Sequence, residues 1–399
     1  MGKRSIMIYL DHAATTPLRP EVLEGMLPYL RQGYGNPSAM YAAGREAKRA
    51  VTAAREIIAQ SLSLHPDEIY FTSGGTESDN WALVGAFELA KAEGRGTRIV
   101  ASAVEHHAVL ETLRYLEEVR GASVCLLPVD GDGVVHPRVL SEALREDCCL
   151  VSIMTANNEV GSLQPIAALA DIAHRRNVLF HTDAVQAYGH MPMGDIAASV
   201  DLLSGSGHKL GGPKGTGFLV IRRGVPMRAF FHGGAQEKRR RAGTENVAGI
   251  VGLGIAAAVA QRDLEAETER EARLRDQLYH QLQEAIPHVM LNGSRDQRLA
   301  NNLNLCFPGV SAETLLILLD QRGIAAGAGA ACASGALEPS HVLRAMGRSV
   351  EEARSSVRLT VGPDNTEEEM KDAAEQIAEV VRHLRKGVTD RISAEKEAT

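Results

Sequence analysis

LLSGSGHKLGGPKGTGFLVIRR, residues 202–223, holds two apolar runs, LLSGSG and GFLVIRR, separated by a glycine-rich turn that carries Lys209. Each run has the length and composition of a buried strand, and the turn is too rich in glycine to continue either one. A lysine in a solvated surface loop would be ordinary, but one wedged between two buried strands fits that description poorly. Its amine becomes a usable Schiff-base former when desolvation or a nearby positive group disfavours the ammonium form. Neighbouring His208 and the polar turn are the candidates for that effect.

Working outward, the same strand pattern recurs in IYFTS (69–73), RIVASA (98–103), SVCLLPV (123–129), CLVSIM (149–154) and LFHTDAV (179–185). Between these runs, REAKRAVTAAREIIAQSL (45–62) and TESDNWALVGAFELAKAE (76–93) place apolar residues at helical spacing with charges on the far side. Such alternation from about Glu21 to Val225 predicts an α/β fold, a mostly parallel sheet with helices on both faces. After the polar stretch GGAQEKRRRAGTEN (233–246), a long helical pattern runs from Val247 to Ile286 and reads as an interdomain helix. Strand candidates LNLCF (303–307) and VRLTV (357–361) and a final helix from about Thr366 would form a smaller α/β domain, with the polar end TDRISAEKEAT frayed.

A chain of 399 residues is long for one compact core, so two domains are expected. The formal net charge of -7 argues against nucleic acid as a partner. The apolar stretch before Asp11 is short for a signal peptide, and the run Gly249 to Ala260 is short for a membrane span. The protein therefore reads as cytoplasmic, with no membrane partner. Five cysteines at 125, 148, 149, 306 and 332, without Cys-x-x-Cys spacing, indicate free thiols and no permanent metal site. Cys125, Cys148, Cys149 and Cys306 lie in or beside apolar stretches and read as buried small hydrophobes. Cys332 sits instead in GIAAGAGAACASGALEPS (323–340), where little side-chain packing would fix it. A mobile segment would let one sulfur reach two places, whereas an Ala-rich helix is the competing reading.

Several polar groups fall where α/β sheets place ligand contacts, at the ends of apolar strands. Ser73-Gly74-Gly75-Thr76-Glu77 follows a strand and opens a helix, which would set backbone N–H groups beside a hydroxyl as a phosphate cradle. Read alone, it is equally a tight turn with Thr76 as a cap. Asp183 and Gln186 lie in HTDAVQ, and an acid there suits the pyridine nitrogen of pyridoxal phosphate, although an isolated Asp is more often a cap. Glu105-His106-His107 and Asn157-Asn158-Glu159 occupy equivalent positions, and a histidine there can stack on an aromatic ring and move protons near neutral pH.

In order along the chain stand YLDHAATTP, FTSGGTESDN, VEHHAV, NNEVG, HTDAVQ, SGSGHK-x-x-GPKG, RRAGTENV, ACASGALEPSHVLRAMG and SSVRLTVG, spanning Tyr9 to about Gly362. This set resembles the NifS/IscS-type cysteine desulfurases. The resemblance implies a fold-type I pyridoxal-phosphate enzyme of the class V aminotransferase group. It implies a large domain over 16–262 with a mixed, mostly parallel seven-stranded sheet, and a small domain from 1–15 and 263–399 that includes a mobile catalytic loop at about 326–338. It also implies a homodimer acting on L-cysteine, which leaves as L-alanine while its sulfur stays as a persulfide on Cys332, for iron–sulfur cluster assembly through a scaffold or other acceptor protein. RRAGTENV and ALEPSHVLRAM lean toward the nitrogenase-maturation side of the group.

By motif position, the resemblance makes Lys209 the covalent anchor of the cofactor and the acid/base at the substrate α-carbon. Asp183 would pair the pyridine nitrogen, Gln186 the ring hydroxyl, and His106 would stack on the ring. Gly75, Thr76, Ser206 and His208 would hold the phosphate, with Thr244 reaching it from the partner subunit. Asn158 and Arg358 would receive the substrate, Arg358 gripping its carboxylate by two prongs, with Asn36 assisting. Cys332 could also ligate a transient [2Fe-2S] cluster shared with a scaffold. The chain departs from the family at Gly327-Ala328-Gly329-Ala330-Ala331-Cys332, where Ser-Ser-Gly-Ser-Ala-Cys is usual: the hydroxyls are lost and the nucleophile is kept. The competing readings are a class V transaminase or lyase without thiol chemistry, and a non-enzymatic sulfur-relay or scaffold protein.

Overall fold

The computed structural model describes residues 7–328 and 339–397, so Cys332 and most of the proposed catalytic loop lie outside the described residues. All seven runs expected to be strands are strands: β2 (Ile69–Thr72), β3 (Arg98–Ser102), β4 (Ser123–Leu127), β5 (Cys148–Ser152), β6 (Leu179–Asp183), β7 (Leu202–Ser206) and β8 (Gly217–Ile221), after a short β1 (Ile8–Leu10). They form one sheet in the order β2-β8-β7-β6-β5-β3-β4. Only β8 runs against the rest, because it returns from β7 through the tight Lys209 turn, whereas the other neighbours are joined by crossover helices. A Cβ on Gly217 would lie 2.6 Å from the Gly74 backbone, so glycine there lets the β8 turn pack directly against the start of the helix Gly75–Ala92.

The buried strands are apolar on both faces, and two core clusters flank the sheet. One is built around Ile58, Phe180, Val220 and Leu253, the other around Trp81, Phe87, Leu113 and Leu219. A third cluster joins Leu10, Leu278, Leu305, Phe307, Leu359 and Ile377. It lies over a three-stranded antiparallel sheet of β9 (Met290–Asn292), β10 (Asn302–Cys306) and β12 (Ser356–Thr360), while β1 pairs in parallel with β11 (Ile324–Ala326). The strands β1, β9 and β11 have three residues each, too few for an alternation signal, and the sequence reading missed them.

The helix Val247–Ala285 contributes Leu253 to the first of these clusters and Leu278 to the third. One window of it has a mean hydropathy of 1.4, enough by composition to cross a membrane, but 56% of that window is buried inside the protein. Its apolar face is therefore core. The last helix, Glu367–Glu397, continues into the polar terminal residues expected to fray, as far as the described residues go. Their Ala, Glu, Lys and Arg are strong helix formers, and polarity alone does not break a helix. Cys148, Cys149 and Cys306 are buried as expected, whereas Cys125 is only half-buried because β4 is the sheet edge.

The polar 233–246 stretch is tied down by ion pairs. Glu237, in the left-handed region at φ 44°, accepts from both Arg55 Nη atoms at 2.8 and 2.6 Å and from the Phe71 N–H at 3.0 Å. Glu237→Ala leaves the Phe71 N–H without its acceptor and the Arg55 guanidinium with only the Ile69 carbonyl, so it should lower unfolding stability by about 2 kcal/mol, below the ~3–5 kcal/mol of a fully buried pair because Arg55 is partly exposed and keeps that bond. Denaturant unfolding reads this, and a change below about 0.5 kcal/mol would contradict the assignment.

Candidate active site

The C-terminal ends of β6 and β7, the start of the helix Gly75–Ala92 and the turns after β3 and β5 enclose a cleft of about 200 Å³. Gly75, Thr76, His106, Asn158, Asp183, Gln186, Ser206, His208 and Lys209, all proposed from the sequence, line it together. Asp79, Met154 and Val185 complete the lining. Asn36 and Thr244 are exposed outside it in the single chain, the Asn36 side chain accepting from the Ser38 N–H at 2.9 Å.

Lys209 is aimed by the N-terminal segment. Its Nζ donates to the carbonyls of Ala13 and Ala14 at 2.6 and 2.8 Å, and Gln186 Nε2 donates to Ala13 at 2.9 Å. Thr15 and Thr16 hold the same turn through His208 and Gly211. This explains YLDHAATTP, a motif to which the sequence reading gave no role: it is the strap that holds the lysine turn. Burial lowers the Lys209 pKa to about 8, and the Arg358 charge adds to the effect against Asp183 and Asp11. His208 does not supply the positive charge suggested above, because burial and the adjacent lysines hold its own pKa at about 4. Arg358 does.

The sign of this shift gives a kinetic expectation. A neutral amine is the reactive form, so covalent uptake of added pyridoxal phosphate at Lys209 in the apoprotein should rise about tenfold per pH unit below pH ~8 and level off above it. Borohydride trapping and mass spectrometry measure this, and a rise continuing to pH ~10 would show an unperturbed lysine.

Asp183 ends β6, and its Oδ1 accepts from the Val185 N–H at 2.9 Å. Ser206, which ends β7 and lines the same cleft, is 2% exposed and its hydroxyl has no hydrogen-bond partner. It sits beside the first turn of the helix Gly75–Ala92, where backbone N–H groups have no intrahelical acceptor. A Cβ on Gly75 would come within 2.6 Å of Val185, so glycine is required for that approach. His106 caps the helix His107–Arg120, its Nδ1 accepting from the Ala108 N–H at 3.1 Å. That bond leaves the proton on Nε2. The protein packed around the ring lowers its pKa, with Asp183 opposing.

Arg358, on β12, is 6% exposed and already engaged: Nη2 donates to Asp11 at 2.7 Å and Nη1 to the Asn158 carbonyl at 3.0 Å, while Nε has no partner. Asp11 was missed because one Asp in a loop carries no spacing signal. Asp79 was missed although it lies one helical turn beyond Gly75, which puts both on one face of the helix. Glu105, Asn157 and Glu159, grouped with His106 and Asn158 in the sequence, are buried beneath the cleft.

A parallel sheet with one reversed strand, and a half-buried lysine after the strand next to that of a buried aspartate, define a fold-type I architecture. The chain belongs to the class-V aminotransferase family, whose model matches residues 8–373, and within it to the cysteine desulfurases. It is 49% identical over 378 residues to cysteine desulfurase IscS of Methanosarcina thermophila, covering 95% of this chain and 93% of that one. It is similar to the solved structure of a NifS-like protein, with a TM-score of 0.88 and 38% identity over 95% of this chain and 100% of the other. A structure of SspA in complex with cysteine matches 90% of this chain with a TM-score of 0.78 and 33% identity. These families are pyridoxal-phosphate-dependent.

Proposed function

We propose that the chain takes sulfur from L-cysteine, releases L-alanine and holds the sulfur as a persulfide on Cys332 for delivery to an iron–sulfur scaffold or other acceptor protein. The observation that carries the cofactor assignment is a pair of features in one cleft: an unpartnered buried hydroxyl at Ser206 beside a helix N-terminus, and a buried carboxyl at Asp183 on the strand next to the one that leads into Lys209. That donor set fits pyridoxal phosphate, with its phosphate on Gly75, Thr76, Ser206 and His208 and its ring nitrogen on Asp183. Bound there, the cofactor supplies an electron sink for charge developing at the substrate α-carbon.

The chain's own residues do the rest. Lys209 Nζ removes and returns the α-proton, His106 stacks on the ring, and Gln186 holds its hydroxyl. Arg358, freed from Asp11, binds the substrate carboxylate with Asn158 and with Asn36 assisting. The Cys332 thiolate attacks the substrate sulfur; the carbon–sulfur bond breaks, a sulfur–sulfur bond forms, and the electron pair left on carbon takes a proton to give alanine. We place the division into domains at 16–262 against 1–15 and 263–399, with the catalytic loop at about 326–338. Thr244, exposed in one chain, reaches the phosphate of a partner subunit in a homodimer. A reducing cytoplasm suits a free Cys332 thiol. Purified protein loaded with pyridoxal phosphate should form alanine and sulfide in equal amounts from L-cysteine and a reductant. Alanine without sulfide, or neither, counts against this reading.

A further inference from the structure

The cleft holds one more acid than the proposed chemistry uses. Asp79 is 1% exposed, lines the cleft, and has an Oδ1 with no hydrogen-bond partner. Its carboxylate and those ligand atoms of His106 and Asp183 that face it lie within 4.8 Å of one another. The groups that act on it from the packed elements are Asp183 at the end of β6, Glu105 before the helix His107–Arg120, and the Ser204 hydroxyl of β7. The nearest possible cation, His181 of β6, has its Nε2 at 3.6 Å. That ring is satisfied by hydroxyls, with Nδ1 2.8 Å from Ser152 and Nε2 3.0 Å from Ser204, and complete burial lowers its pKa to about 3. It is neutral. Glu105 is also held protonated by burial, its pKa raised to about 8.

Two carboxyls this close, out of water and with no cation between them, cannot both ionise. The partners decide which one does. Burial raises the pKa of Asp183 too, but the Val185 N–H, His106 and Lys209 oppose it and favour its anion, whereas at Asp79 burial is opposed only by the Ser204 hydroxyl, the His181 ring at 3.6 Å being neutral. Burial and the Asp183 charge push the Asp79 pKa well up. We infer that Asp79 is a positioning residue that keeps its proton and turns it toward Asp183, holding that carboxylate ionised and oriented for the ring nitrogen of the cofactor. This rests on the pyridoxal-phosphate reading for its purpose but not for the proton itself.

The two are separable by experiment. The infrared difference spectrum between wild-type and Asp79→Asn apoprotein at neutral pH should show a protonated carboxyl band lost in the variant; its absence overturns the inference whatever the cofactor does. Asparagine keeps a neutral donor, so Asp79→Asn should bind pyridoxal phosphate within about threefold of wild type and leave the pH titration of its visible band unmoved. Asp79→Ala loses the donor and should weaken binding about tenfold, with melting curves of both variants checking the fold. A titration shifted by about one pH unit in Asp79→Asn would mean that a negative charge had been removed, and would overturn the inference. Failure of wild type to take up any pyridoxal phosphate would instead sink the cofactor reading.

Discussion

Lys209→Ala should abolish turnover of L-cysteine, with a loss of at least ~10³-fold, while the protein stays folded. No other lysine among the described residues lines the cleft. Lys209 lines the cleft with a pKa near 8, so at neutral pH a usable fraction is already the free base. The other cation nearby, Arg358, is committed to Asp11 and Asn158 and does not give up a proton. The fold should tolerate the change, because the lysine turn keeps its backbone bonds from Thr16 to His208 and from Arg19 to Gly211. Only the Ala13 and Ala14 carbonyls lose the amine, and Gln186 still donates to Ala13. Pyridoxal phosphate should then bind without covalent attachment, seen as uptake that dialysis reverses. Residual turnover within about tenfold of wild type would show that Lys209 is not the acid/base.

Cys332→Ala should be as severe in turnover and silent in cofactor binding. None of the described cysteines can substitute. Cys148, Cys149 and Cys306 are buried, burial raises the pKa of each thiol, and Cys149 is pushed up to about 12. A buried thiol that stays protonated is a poor nucleophile. Cys125 is half-buried on the sheet-edge strand β4, whereas the cleft opens at the ends of β6 and β7. The variant should bind pyridoxal phosphate like wild type yet form neither persulfide nor alanine from L-cysteine, with turnover down by at least ~10³-fold. Stoichiometric alanine from the variant would favour a lyase that needs no thiol.

The sequence was most legible where chemistry and periodicity coincide. All seven strands of the large sheet announce themselves as apolar runs, and nine of the proposed binding residues converge because α/β sheets gather ligand contacts at strand ends. What it hid was mutual: the Arg358–Asp11 pair joins residues 347 apart, and no local pattern forecasts that a substrate-binding arginine has an internal partner. The same holds for His208, whose charge depends on burial and two lysines rather than on being next to Lys209. Asp79 was visible in FTSGGTESDN but reads as an ordinary helix-surface acid until its burial is known. The helices Gly75–Ala92 and Val247–Ala285 were placed within a residue and Ala42–Ser61 within three, while three-residue strands lay below any periodic signal.

The most direct test of the central claim is to locate the sulfur. Wild-type protein loaded with pyridoxal phosphate is given sulfur-labelled L-cysteine without reductant, digested, and its peptides mapped against the alanine released. The account predicts one labelled sulfur per alanine, carried by the peptide that contains Cys332. Label on the peptides of Cys125, Cys148, Cys149 or Cys306, or alanine released with no protein-bound label, would contradict it.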